Sequence, residues 1–233
     1  MTWPLLLTPF LPLLALVPGG QWALPLVAPL TLYLSFKDRV REGDYPRAWT
    51  LGIVWAFLLS LGVIVLVLWR PEAARAGILH GEPYRREMFG WIATGVGKEN
   101  DPSAFIPQHL LHLAVFLVLT WASGGYLGLV LGAALVAYMS YFVGSYAAAS
   151  GHPFLGSVAA WVPWSVIRVG AFVLLGALFA RPLLVRRIWP FGRREIRLMA
   201  LALAGILADL ALKALAAPAY GLFLRQMARS AGF

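Results

Sequence analysis

One polar island interrupts an otherwise apolar chain. Residues 95–112 read Gly-Val-Gly-Lys-Glu-Asn-Asp-Pro-Ser-Ala-Phe-Ile-Pro-Gln-His-Leu-Leu-His, setting an acid pair, two prolines and two histidines against the start of an apolar run. His109 and His112 stand three apart, so on a helix they project from one face. Pro107 suits the first turn of that helix, with Ser103 a cap upstream. Glu99 and Asp101 lie close enough to fold back over the helix start, and His152 falls in a later connection, before Pro153. These groups predict a polar pocket in which Glu99, Asp101, His109 and His112 do acid–base chemistry, with Asn100, Gln108 and His152 around the ligand.

Imidazoles beside carboxylates also suit a divalent ion such as zinc, held by His109 and His112. A three-ligand site with an open position would activate water. The spacing matches no zinc signature, since HExxH is absent. The plainer reading has the histidines reaching interfacial water and Glu-Asn-Asp-Pro forming a capping turn, because Asn and Asp bond their own backbone and Pro fixes φ. Serine catalysis is disfavoured: Ser103, Ser123 and Ser150 sit in no nucleophile elbow.

Two further polar features stand out. Residues 83–92 predict a short interfacial helix whose Arg85 and Arg86 can engage phosphates, or simply anchor the surface. Arg168 and Asp209 fall within apolar runs, about 16 and 18 Å from the expected ends of their spans. Ionisable residues at that depth face the bundle interior and pair, so a contact between them is predicted, with Lys213 as competitor.

What positions these residues is a membrane scaffold. Of 233 residues 61% are hydrophobic and 12% charged, with a mean hydropathy of +0.77, and several runs approach the ~20 residues that cross a bilayer. The fold class is all-α: a polytopic helical bundle of about six transmembrane helices in a single integral membrane domain over residues 1–233. Clear spans are expected at 49–69, 107–122, 126–146, 157–180 and 198–216. The segment 70–105 is a long outer loop with its interfacial helix, and 218–233 an amphipathic tail lying on the surface. The Pro-rich first 36 residues predict a re-entrant or interfacial hairpin, split at Pro18-Gly19-Gly20, before a span over 22–36; a single broken, tilted span is the alternative. At α-helical rise residues 3–17 reach only about 22 Å.

The net charge of +9 is no nucleic-acid signal, because basic residues cluster at the ends of apolar runs, where anionic head groups attract them. Lys37, Arg39, Arg41 and Arg47 mark one loop and Arg181, Arg186, Arg187, Arg193, Arg194 and Arg197 another, with four spans between. Both therefore fall on the cytoplasmic side of the cell (inner) membrane, and 70–105 lies outside. No basic residue precedes Lys37, so a cleavable signal peptide is not expected. The chain has no cysteine, which removes disulfides and thiolate chemistry.

Gly124, Gly128 and Gly132 recur every four residues, a small-residue face for close helix packing within the scaffold, for a membrane-protein partner or for a second copy. Three functions remain open at this level, with membrane lipids the expected company. One is a membrane-embedded enzyme acting on a lipid or lipid-linked substrate at the outer face. Another is a non-catalytic subunit or assembly factor of a membrane complex. The third is a small-solute transporter built on Arg168, Asp209 and the broken N-terminal helix.

Overall fold

The computed structural model describes residues 3–229. A 3-10 helix over Trp3–Leu16 opens the chain. It is followed by α1 (Gly20–Val27), α2 (Leu30–Glu42), α3 (Tyr45–Trp69), α4 (Pro71–Gly77) and α5 (Gly81–Thr94). After a 3-10 turn at Lys98–Asn100 come α6 (Pro102–Ser123), α7 (Tyr126–Ala149), α8 (Pro153–Ala160), α9 (Pro163–Val185) and α10 (Arg193–Arg229). Five of these, α3, α6, α7, α9 and α10, are long and apolar enough to cross a membrane.

Capping chemistry fixes where the long helices begin. Asp44 accepts a hydrogen bond from the Arg47 N–H at the start of α3, and Asp101 accepts one from the Ser103 N–H at 2.9 Å at the start of α6. Each cap is followed by a proline in the first turn, where a missing N–H costs nothing. The start of α6 therefore lies at Pro102, and Pro107, expected near the first turn, sits inside the helix. Pro163 restarts the chain as α9, so the span expected over 157–180 is divided between the end of α8 and α9. Pro218 has the opposite outcome. It lies inside α10, which runs on without a break, so the tail expected from residue 218 is the end of the last long helix rather than a separate surface helix. Its Leu224 and Ala228 are buried in the cluster that holds Met88 and Trp91 of α5; residues 230–233 of that tail lie outside the described residues.

At the N-terminus the expected span over 22–36 is broken into α1 and α2 at Ala28-Pro29. The freed Ala28 carbonyl accepts from Trp55 Nε1 at 3.0 Å and Thr31 Oγ1 at 2.9 Å, which satisfies irregular backbone inside the bundle. The 3-10 helix turns back onto α1 and α2, with Thr8 and Thr31 hydroxyls 2.9 Å apart, and beds against α3. Gly62 allows that approach, because a Cβ there would stand 3.0 Å from Pro9 Cα and closer still to its carbonyl. Prolines cannot feed an α-helical ladder, and the tighter winding rises ~2.0 Å per residue, so these fourteen residues reach about 28 Å rather than the roughly 21 Å of an α-helix.

The long helices alternate in direction and separate the loops into two ends. At one end the α6–α7 turn runs through left-handed Gly124 (φ 60°) and Gly125 (φ 100°). There Arg181 of α9 also donates to Tyr45 Oη at 2.7 Å, tying the 37–47 segment to the 181–197 segment. At the other end Tyr146 donates to the Leu224 carbonyl, Tyr220 to Ala159 and Arg225 to Ile92, gathering α5, α8 and the end of α10. The two basic segments thus share one end, and 70–105 caps the other.

Candidate functional site

α6, α7 and α9 splay apart to leave an elongated, partly open cavity of about 90 Å³. α6 presents His109, His112, Phe116 and Thr120 to it, spaced three and four apart along one helical stripe. α7 contributes Gly128, Gly132 and Tyr138, and α9 contributes Arg168, Phe172 and Gly176. The polar groups, apart from Thr120, collect toward the end nearer α5, and the rest of the wall is apolar. A narrow hydrophobic slot that is partly open and has one polar end can admit the head and the first carbons of an amphipathic ligand.

His109 is the group with unfinished chemistry. Its Nδ1 lies 2.7 Å from the Phe105 carbonyl, which can only accept, so Nδ1 carries the proton. In the neutral ring Nε2 is then a lone pair, and it is buried without a partner. Thr120, fully buried further along the same stripe, likewise has an unpartnered hydroxyl. An unsatisfied buried acceptor costs on the order of 1–3 kcal/mol.

Behind the polar end runs a buried ionic ladder. Arg168 donates Nε and Nη2 to the two oxygens of Asp209, both at 2.9 Å, a planar bidentate pair with Asp209 only 1% exposed. Lys213, one turn further along α10, is taken by Glu99 at 2.7 Å and rests over the Phe105 ring at 4.6 Å. Depth differs from the sequence reading. Because α9 starts at Pro163, Arg168 is about 8 Å from its end rather than 16 Å, while Asp209 is about 24 Å along α10. The pair sits in the half of the bundle covered by α5.

The structure divides the sequence-derived pocket. His109 and His112 share the cavity wall. Glu99 is turned away from them to Lys213. Asp101 is an exposed helix cap whose carboxylate is held below its ordinary range by the Ser103 hydroxyl and N–H. Asn100 is consumed in the loop, accepting from Trp91 Nε1 at 2.9 Å and donating to the Gly95 carbonyl at 2.6 Å. Gln108 is exposed, and His152 is exposed at the start of α8. Among the described residues no hydrogen bond or ion pair joins His152 to His109 or Glu99, and no three His, Cys, Asp or Glu side chains gather around a point that could hold a metal ion. The three-ligand arrangement behind the water-activation idea is therefore not formed.

Arg85 and Arg86 are likewise committed. Arg85 grips Glu82 in a two-pronged contact at 2.8 and 2.7 Å, Arg86 adds a third bond at 2.9 Å, and Tyr141 donates to the same carboxylate at 3.2 Å. The Arg85 bonds first, with Arg86 and Tyr141 adding to them, pull the Glu82 carboxyl down to about 2. Of the small-residue face, Gly124 closes α6, Gly128 presses on Thr120 of α6, and a Cβ on Gly132 would meet open space in the cavity. Gly124 faces Leu184 of α9, while Gly128 and Gly132 are turned toward α6 and the cavity.

Sequence reasoning missed the Glu99–Lys213 pair and the cavity. Lys213 lies four residues after Asp209, on the same helix face, which was the available signal for a second buried pair. No protein-family model, curated protein or solved structure matches this chain.

Proposed function

We propose that this integral membrane protein binds a lipid or lipid-linked molecule in the cavity between α6, α7 and α9, head group against His109, His112 and Arg168 and chain along Gly128 and Gly132. The observation that carries this reading is the buried, unpartnered Nε2 of His109 on the wall of a slot that is otherwise apolar. A lone pair selects a donor, so the head carries a hydroxyl or similar N–H or O–H group. The Arg168 Nη1 edge, which Asp209 leaves over, then donates to its neighbouring oxygen.

Magnitudes favour recognition by the head. Transfer of an acyl chain from bilayer to protein gains little, because lipid tails are as apolar as the cavity wall. A hydrogen bond satisfying a buried acceptor returns about 1–3 kcal/mol, enough to select one lipid from the bulk. The same lone pair favours a second reading, in which His109 acts as general base toward the bound hydroxyl.

Native mass spectrometry of the detergent-purified protein tests the binding reading. Wild type is expected to carry a lipid adduct, and His109→Phe and Gly132→Leu, one removing the acceptor and the other filling the slot, are expected to lose it while still eluting as folded protein. Equal lipid occupancy in wild type and both variants would remove the proposal. Turnover of the identified lipid, abolished in His109→Gln with binding retained, would support the catalytic reading.

A further inference from the structure

At the opposite end of the bundle from the cavity's polar groups, the connection from α9 to α10 borders a second, more open hollow, of about 480 Å³, lined by Arg181, Val185, Arg187, Trp189, Phe191 and their neighbours. Its chemistry is cationic. Arg181 spends Nη1 on Tyr45 Oη and on Glu195 Oε1 at 2.9 Å, while its Nε is buried with no acceptor. Glu195 is the acid at this wall, and its second oxygen is already taken by the Gly192 N–H at 2.9 Å. Arg187, the second arginine of its lining, is exposed. The hollow therefore offers N–H donors in excess of the acceptors that the protein supplies, the condition that an oxyanion meets.

A second, independent feature says where that oxyanion comes from. Ile188 and Trp189, between the arginines, are 91% and 69% exposed, and Trp189 packs edge-on against Phe191 at 4.9 Å. Large apolar side chains held out beside a basic pocket, at the end of membrane-length helices, belong in the interfacial layer, where tryptophan rings rest at head-group level. Arginine forks beside exposed apolar side chains match the two parts of a phospholipid, its phosphate and its chains.

We propose that the α9–α10 connection is a phosphate-binding site, occupied in the membrane by an anionic glycerophospholipid whose phosphate sits between Arg181 and Arg187 and whose chains pass Ile188 and Trp189. The site is separate from the His109 cavity, and its test does not depend on that reading. The full-length protein in mild detergent is titrated with phosphatidylglycerol, phosphatidylcholine or inorganic phosphate, with bound species counted by native mass spectrometry. Wild type is expected to retain phosphatidylglycerol in preference to phosphatidylcholine. Arg187→Ala, at an exposed position that leaves the Tyr45–Arg181–Glu195 contacts alone, is expected to weaken that binding about tenfold, the loss of one charge-assisted contact. Trp189→Ser weakens phosphatidylglycerol but not inorganic phosphate if the source is lipid. Inorganic phosphate that binds alone, sensitive to Arg187→Ala and indifferent to Trp189→Ser, supports the same site with a soluble phosphate source. Binding of every probe unchanged in Arg187→Ala, or no binding by wild type, overturns the site.

Discussion

At the scale of residues, the decisive feature is that the two charge pairs behind the cavity are closed while a ring nitrogen on the cavity wall is not. Arg168 with Asp209 and Lys213 with Glu99 form two closed pairs, leaving the His109 lone pair as the open valence beside them. The first pair was legible in the sequence, since Arg168 and Asp209 are deep ionisable groups on the last two long runs and each needs a partner. The second was not. Glu99 and Lys213 are 114 residues apart, and nothing in a polar loop says how deep it dips. The geometry of the first pair makes a sharp expectation. Desolvation makes an intact buried pair nearly neutral against an apolar replacement, whereas a lone survivor costs ~3–5 kcal/mol. Thermal unfolding in detergent should therefore show Arg168→Met and Asp209→Leu each strongly destabilised and the double variant closer to wild type than either single. Additive losses would mean that the two side chains act independently.

At the scale of elements, proline explains both the successes and the corrections of the sequence reading. A proline in the first turn and a proline within a helix look alike in sequence; what separates them is whether neighbours cover the gap in the ladder. Pro102 and Pro163 begin helices, while Pro107 and Pro218 are carried inside α6 and α10. Membrane helices tolerate this because packed neighbours re-satisfy the backbone. α5 shows how a short helix is held to such a frame. Its Glu82 receives Arg85 and Arg86 from its own helix and Tyr141 from α7, so the carboxylate is one of the pins between the two. Because its carboxyl is depressed from an ordinary 4.5 to about 2, the ionised form is the one that the fold stabilises. The contribution is present in full above pH 4.5 and is lost as pH falls toward 2. Hydrogen exchange of α5 amides should thus be slow and constant from neutral pH down to about 5, after correction for intrinsic rates, and accelerate below 4.5. Glu82→Gln should remove that pH step. A step of equal size in the variant would assign it to other carboxylates.

At the scale of the whole molecule, the charge distribution argues for one orientation. The end holding 37–47 and 181–197 carries ten lysines and arginines against four acids, whereas 70–105 carries five of each. Four of that segment's five cations are also tied down: Arg75, Arg85 and Arg86 converge on Glu82, and Lys98 pairs with Glu87 at 3.1 Å. A cap whose formal charges balance is easier to move across a bilayer than the strongly basic end, so the α9–α10 connection is predicted in the cytoplasm and α5 and α8 outside. The sequence made the segregation of basic residues readable; it could not show that the cap neutralises itself, because those pairings depend on how α5 folds. The absence of native cysteine allows a direct test. Ile188→Cys at one end and Phe154→Cys in α8 at the other, 91% and 79% exposed in the wild-type side chains, each introduce one thiol. A membrane-impermeant maleimide applied to intact cells stripped of any outer barrier should label Phe154→Cys at once and Ile188→Cys only after permeabilisation. The reverse order would invert the protein and place the arginine-lined hollow at the outer leaflet.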